Sequence, residues 1–588
     1  MAELIVRTSS APSVGDRRME ELALYSGITV RHATTGPLRD LLDDSASDSL
    51  SLAIDAATLA THADTRALVE LSALAALHLF VYHCTDDPQQ QRALRKLTGD
   101  RLDAILAAQS SCGPFHFEPA ARPLCGPLAG LSFTQTSATP LASFALATGS
   151  DACVLLTAQG RPILVQLPFG KGSLTLSTVP LPRLDEPLSS KNPLQAHALA
   201  VLPPLLFLRQ SFGNRCWHPS APTAQIVLDD PPLVRRYGCV DFDALQTSME
   251  RARYRTTLAF IPWNSWRTRR LSAQRRLAPP SRLSLCIHGC DHTRREFATH
   301  SEEHLRHKAL KALQRMQRQQ KKTGAEFASV MVFPQGFFSH EALAALRSAQ
   351  YLAAVNTACF AIDQAAQPLT LAQALQPAIT QTSGFPLFQR FPVRDLFDFA
   401  FALFLGKPAL AVVHHGDFRS GDQPLEDFVD ALHRQSPTLD WPPLSEQLSR
   451  CCLRKTLDDE SEEIRFFTQG FHFARLSSST RRILLAKPEP APARIARVLL
   501  DGFPVAFSFC DGFLHVEIAV EGDQQHRLEI IDHEQALPPM PPTPLRQQAK
   551  ILLRRAASEL RDRVLYRYPR LLAAAQTLAR CARLTANR

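Results

Sequence analysis

Residues 224–232 read AQIVLDDPP. An apolar run that stops at two adjacent carboxylates and two prolines is a buried strand carrying charge to a sheet edge, and Pro231 biases Asp230 toward an extended backbone. Side-by-side carboxylates resist joint ionisation unless a cation is present. This one stretch therefore predicts both a buried-strand fold and a metal. Further runs of the same kind follow at TTLAFIPW (256–263), LSLCIHG (283–289), FASVMVFPQG (327–336), YLAAVNT (351–357) and ALAVVHHG (409–416), mostly separated by helical stretches. Strands apolar on consecutive residues are buried on both faces, as in parallel sheets and βα barrels. The expected fold is α/β and multidomain, with a central (β/α) barrel over residues 216–440.

Polar clusters sit at the C-terminal ends of three of these runs, where barrel active sites are built: Asp229 and Asp230, His288 and His292, His414 and His415. A carboxylate with two imidazoles leaves open positions on a divalent transition ion, which is the ligand set of a metal hydrolase. Zinc is the expected ion, and cobalt, nickel, iron or manganese would fit the same set. The second H-x3-H pair, His300 with His304, begins a polar helix and reads as solvent-facing.

The motif order resembles the polysaccharide deacetylase family (NodB homology, carbohydrate esterase family 4) over about residues 220–435. The resemblance implies a deacetylase-type barrel, with Asp229 as catalytic base, Asp230, His288 and His292 as metal ligands, and His414 or His415 as general acid, His414 being favoured as the first after the apolar run. VFPQGFFS (332–339) is similar to a worn third motif: Pro334 and Gly336 survive, but Val332 stands where the family has the arginine that positions the base, and Gln335 where it has an aromatic. Asp229 is then left either to an arginine of the 251–295 segment or to a low rate. A backbone N–H near Gly336 would hold the oxyanion. The implied reaction is removal of an N-acyl group, acetyl foremost, from a glycan or glycoconjugate. The alternative is a catalytically weak or inactive barrel that binds glycan or serves as scaffold.

Outward from the barrel, residues 1–215 alternate short apolar strands (SLSLAIDAA, LHLFVYH, ACVLLTA, RPILVQLPF, GSLTLSTVPL) with Ala/Leu-rich helical stretches, an α/β layer domain. Its Cys84 lacks a glycine elbow and reads as a small buried hydrophobe. Residues 463–536 alternate with period two and carry DG and EG turns, an antiparallel β module. After the proline-rich LPPMPPTP, residues 541–588 form a basic amphipathic helical tail, interrupted at Pro569, with Leu552, Leu553, Leu560, Val564 and Leu565 opposed by arginines.

The chain has 588 residues, 65 basic and 56 acidic, for a net charge of +9. The excess is local: residues 251–322 hold 18 basic and 4 acidic side chains, and the tail 11 and 2. No stacking platform or recognition motif accompanies it, so no nucleic acid is expected. The arginines from Arg251 to Arg282 either draw an anionic glycan to the barrel mouth or dock on the acidic remainder of the chain. Trp263 and Trp266, just past a strand, either stack on sugar faces or pack a loop. The tail either lies peripherally on an anionic membrane or packs on the preceding domain. The longest apolar runs fall short of the roughly 20 residues that span a bilayer. With 13 scattered cysteines, no CxxC pair and no export signal, a cytoplasmic location is expected. The oligomeric state is not legible.

Overall fold

The computed structural model describes residues 2–563 apart from 10, 35–48, 62–64, 110–112, 136–139, 299, 458–460, 476–479, 521–523, 535, 538 and 540–543. At its centre seven parallel strands close into a barrel: β1 (Ala224–Asp229), β2 (Thr256–Phe260), β3 (Leu283–His288), β4 (Val330–Val332), β5 (Ala353–Asn356), β6 (Leu387–Pro392) and β7 (Ala409–His414). The sequence runs account for six of them. The seventh, β6, is LFQRFP, whose Gln389 and Arg390 interrupt the apolar pattern.

Strand parity aims the site. Alternate residues share a face, and Val227, Cys286, Val332, Phe388 and Leu410 pack together inside the barrel. Two residues beyond Val227 comes Asp229, beyond Cys286 comes His288, and beyond Phe388 comes Arg390, so each polar group continues an inward-facing row. Register then levels them: closure of β7 onto β1 pairs Asp229 with His414, and β3 pairs with β4 through His288 and Val332. The opposite parity (Ile226, Leu228, Leu258, Phe260, Leu285, Ile287) faces outward into a core shared with the N-terminal domain.

That N-terminal domain is a nine-stranded mixed sheet. Thr29–Ala33, Glu3–Arg7, Ser49–Asp55, Ala76–Tyr82 and Gly172–Ser177 run parallel, and the remaining strands add antiparallel. Helix Ala198–Phe212, apolar until its last turn, joins it to the barrel, and Phe133 stacks on Phe397 at 4.3 Å across the junction. Cys84 is buried, and burial pushes its thiol far up, which makes it inert as the sequence implied.

The C-terminal β module differs from the expectation in two respects. It begins earlier than residue 463, with Cys452–Thr456, and recruits His218–Pro219 from before the barrel into its six-stranded sheet. It is also not wholly antiparallel, since Glu462–Phe466 runs parallel to Arg482–Pro488. The connection between those two strands is long enough for a crossover, and Gly470–Phe473 leaves it to join a second, four-stranded sheet. Two helices matter for the site: α1 (Glu302–Thr323), after β3, and α2 (Leu545–Arg563), which lies along the barrel mouth. Val564, Leu565 and Pro569 of the tail fall outside the described residues.

Candidate metal centre

Asp229 is 4% exposed and its carboxylate is clamped by Arg390, Nη1 donating to Oδ1 at 2.7 Å and Nη2 to Oδ2 at 2.6 Å. Burial pushes this carboxyl up, but Arg390, His288 and His414 outweigh it and hold it below the usual range. The expected base is thus held by an arginine from β6. The expectation of one from residues 251–295 is corrected, because those side chains lie on the outer loops and helices while Arg390 alone continues an inward row. His414 Nε2 stands 3.8 Å from Asp229 Oδ2 with 57% of its side chain exposed, between that carboxylate and solvent.

Asp230 is not extended as Pro231 suggested. Its φ is +83°, a strained value for a non-glycine residue, of the kind that surrounding structure enforces at functional sites. The turn carries its carboxylate across to Nε2 of His292 (3.0 Å) and of His288 (3.4 Å). Yet Asp230 Oδ1 is buried and makes a hydrogen bond to neither. Three ligand atoms within 4.8 Å of one another, one of them a buried oxygen without a donor, are arranged as around a common cation. Burial pushes Asp230 up, but the two imidazoles, when protonated in the absence of an ion, prevail and hold it well below the ordinary value.

The tautomers suit the same purpose. His288 Nδ1–H donates to the Val332 carbonyl at 3.0 Å, which leaves the Nε2 lone pair facing Asp230. Val332, where the resemblance expected an arginine, thus contributes its backbone oxygen. His292, also at positive φ (+56°), ends a loop whose N–H groups at Cys290, Asp291 and His292 all donate to the carboxylate of Glu296, at 3.1, 2.8 and 3.0 Å. Cys290, Asp291 and Glu296 form a second close group, but Arg315 occupies the first two and the loop amides the third, so it serves as a clamp.

The remaining expected residues divide. His415 is turned away from the centre: it is buried, its ring meets Tyr237 edge-on at 5.6 Å, and Nε2 lies 3.4 Å from Asp562 of α2. His414 is therefore the histidine that faces Asp229. The Gly336 N–H is committed to the Phe333 carbonyl at 3.1 Å, so a donor near Gly336 would have to be a neighbouring amide. Pro334 packs beside Gly289, where an added Cβ would meet its Cγ at 2.3 Å. Trp263 lies beside the ligand loop, its backbone N–H donating to the Cys290 carbonyl at 3.1 Å and its ring meeting Trp266 edge-on. With Arg315, Arg318, Gln319 and Lys322 the two tryptophans line a cavity of about 240 Å³.

Arg390, Glu296 and Asp562 contact the candidate site residues, and the sequence does not announce them. The signal for Arg390 is a charged residue inside an otherwise apolar hexapeptide; Glu296 and Asp562 carry none.

No family model and no curated protein matches this chain. Among solved structures it is similar to Agd3, described as a novel carbohydrate deacetylase, at 10% identity and TM-score 0.46, covering 90% of this chain and 99% of the other. A carbohydrate esterase family 4 pseudoenzyme from Bacillus anthracis is similar at 12% identity and TM-score 0.25, over 38% and 64% of the chains. A family 4 carbohydrate esterase from Streptomyces lividans in complex with acetate is similar at 10% and 0.24, over 39% and 95%.

Proposed function

We propose that the protein is a metal-dependent hydrolase that removes an N-acyl group, acetyl foremost, from a glycan or glycoconjugate. The observation that carries this reading is the convergence, at one end of a closed barrel, of Asp230, His288 and His292 beside an arginine-clamped Asp229 and an open His414. Asp230, His288 and His292 would hold a divalent ion, zinc by the donor set, which when bound would lower the pKa of a water and polarise the acyl oxygen. Asp229, kept ionised by Arg390, accepts the proton of the attacking water at Oδ2. His414, across from it, delivers a proton to the departing amine. The basic side chains around Trp263 and Trp266 favour an anionic sugar, with an aromatic face for stacking. Free cysteines throughout the described residues suit a reducing, cytoplasmic compartment, and no described helix is long and apolar enough to cross a membrane.

One observation bears on the second reading, a barrel that binds glycan without turnover: the Gly336 N–H, one of the amides where the oxyanion was expected, is spent on Phe333. Two measurements separate the readings. Zinc or cobalt should raise the melting temperature of the wild type and not of Asp230→Ala or His288→Ala; an equal rise in all three removes the metal site. Acetate release from chitooligosaccharides should be present and fall about 10²–10⁴-fold in Asp229→Asn. Metal binding without any release leaves the silent barrel as the function.

A further inference from the structure

Helix α2 is mounted with its polar side inward. Asp562, Arg555 and Ile551 are 1%, 2% and 5% exposed. Asp562 accepts a hydrogen bond from the Tyr237 hydroxyl at 2.7 Å and faces His415, and Glu559 pairs with Arg267. These partners all sit on loops at the C-terminal end of the barrel strands, so α2 lies against the mouth that holds the metal centre.

Its other side is apolar and, among the described residues, uncovered. At about 100° per residue, Leu545, Leu552, Leu553 and Leu560 fall within one arc of about 100°. They are 82%, 52%, 73% and 57% exposed, and Ala549 and Ala556 lie exposed among them. Soluble surfaces scatter single leucines, but a contiguous row on one helix marks an interaction face. Arg546, Lys550 and Arg561 are exposed along one flank of the row, with the half-buried Arg554 beside them. Leucine row and basic flank are the pattern of a helix lying in a lipid interface. A second copy packed tail on tail would bring two segments of 11 basic and 2 acidic residues together. An anionic bilayer complements both parts of the face.

We propose that α2 docks the protein on an anionic lipid bilayer and holds the barrel mouth against the membrane surface. The proposal stands independently of the hydrolase reading, and its test uses no substrate. Full-length protein is sedimented with vesicles of phosphatidylcholine alone or mixed with phosphatidylglycerol. Binding should require the anionic lipid, weaken as salt is raised, and fall about tenfold or more in Leu552→Asp/Leu553→Asp, whose melting temperature should stay at the wild-type value because both side chains are exposed. Headgroup-quencher lipid should dim the fluorescence of Trp266, which is 66% exposed beside Arg267, and the dimming should vanish in Trp266→Phe. Binding to neither vesicle, equal binding by the double variant, or binding without quenching of Trp266 overturns the proposal. So does a dimer in lipid-free solution that the double variant dissociates, since a second copy then covers the face.

Discussion

Asp229 depends on Arg390 for its charge. Burial alone would drive the Asp229 carboxyl upward, and the two guanidinium bonds reverse that. Arg390→Met leaves a buried carboxylate without its cation, a loss of about 3–5 kcal/mol. In the folded fraction the Asp229 pKa should rise above the ordinary carboxylate value. Because the base works ionised, the acid limb of the pH profile of kcat/KM should move to higher pH, and Arg390→Lys should move it back part of the way. An unmoved limb in a folded Arg390→Met protein would show that Arg390 is structural only. This pair also shows what was legible. Asp229, Asp230, His288, His292 and His414 announce themselves locally, each at or just past the end of an apolar run. Arg390 lies 161 residues from its partner, and only barrel closure and strand parity bring the two together.

The loop after β3 is a device for aiming His292. Gly289 takes φ +62° with Pro334 and Glu296 too close to admit a Cβ, and the next three N–H groups converge on Glu296. A carboxylate satisfies three donors with two oxygens, whereas a glutamine offers one oxygen and adds a donor of its own. Glu296→Gln should therefore loosen His292 and weaken zinc affinity about 10–100-fold, measured by chelator competition, although Glu296 touches no ligand atom of the Asp230 group. An unchanged affinity would assign the aim of His292 to Asp230 alone. At this scale the sequence shows elements whose pattern is regular and misses those that depend on a neighbour. β6 hides behind Gln389 and Arg390, outward and inward polar residues that mimic a loop. Cys452–Thr456 belongs to the β module because it pairs with Glu462–Phe466 and with His218–Pro219, contacts no local periodicity records.

Across the whole molecule, buried titratable groups oppose one another as pH rises. Lys407 and Lys487 are buried, and desolvation lowers each to about 8, against the Cys thiols for one and Glu489 for the other. Between about pH 8 and the ordinary lysine value the unfolded chain holds protons the folded one has shed, so these two groups make stability rise with pH. The buried thiols act the other way. Burial raises Cys84, Cys125, Cys286, Cys290, Cys359 and Cys451 above the ordinary thiol value, so as pH passes about 8.5 the unfolded chain loses protons the folded one keeps, and stability falls. Buried Tyr82, Tyr237, Tyr254 and Tyr351, all raised by desolvation, steepen the fall above about 10. Each proton by which the two states differ changes stability by about 1.4 kcal/mol for every step of one in pH, so six thiols overtake two lysines once both sets titrate. Stability to urea under reducing conditions should therefore stay nearly level from pH 7 to about 8 and decline above it. Lys407→Met removes a buried charge that donates to the Gln376 carbonyl far from the barrel mouth, and with it one of the two groups that resist the decline. In that variant the fall between about pH 8 and 10 should be steeper than in the wild type, by up to about 1.4 kcal/mol for each step of one in pH. A fall of equal slope in the two proteins would mean that Lys407 is hydrated in solution and that the barrel floor beneath β7 admits water.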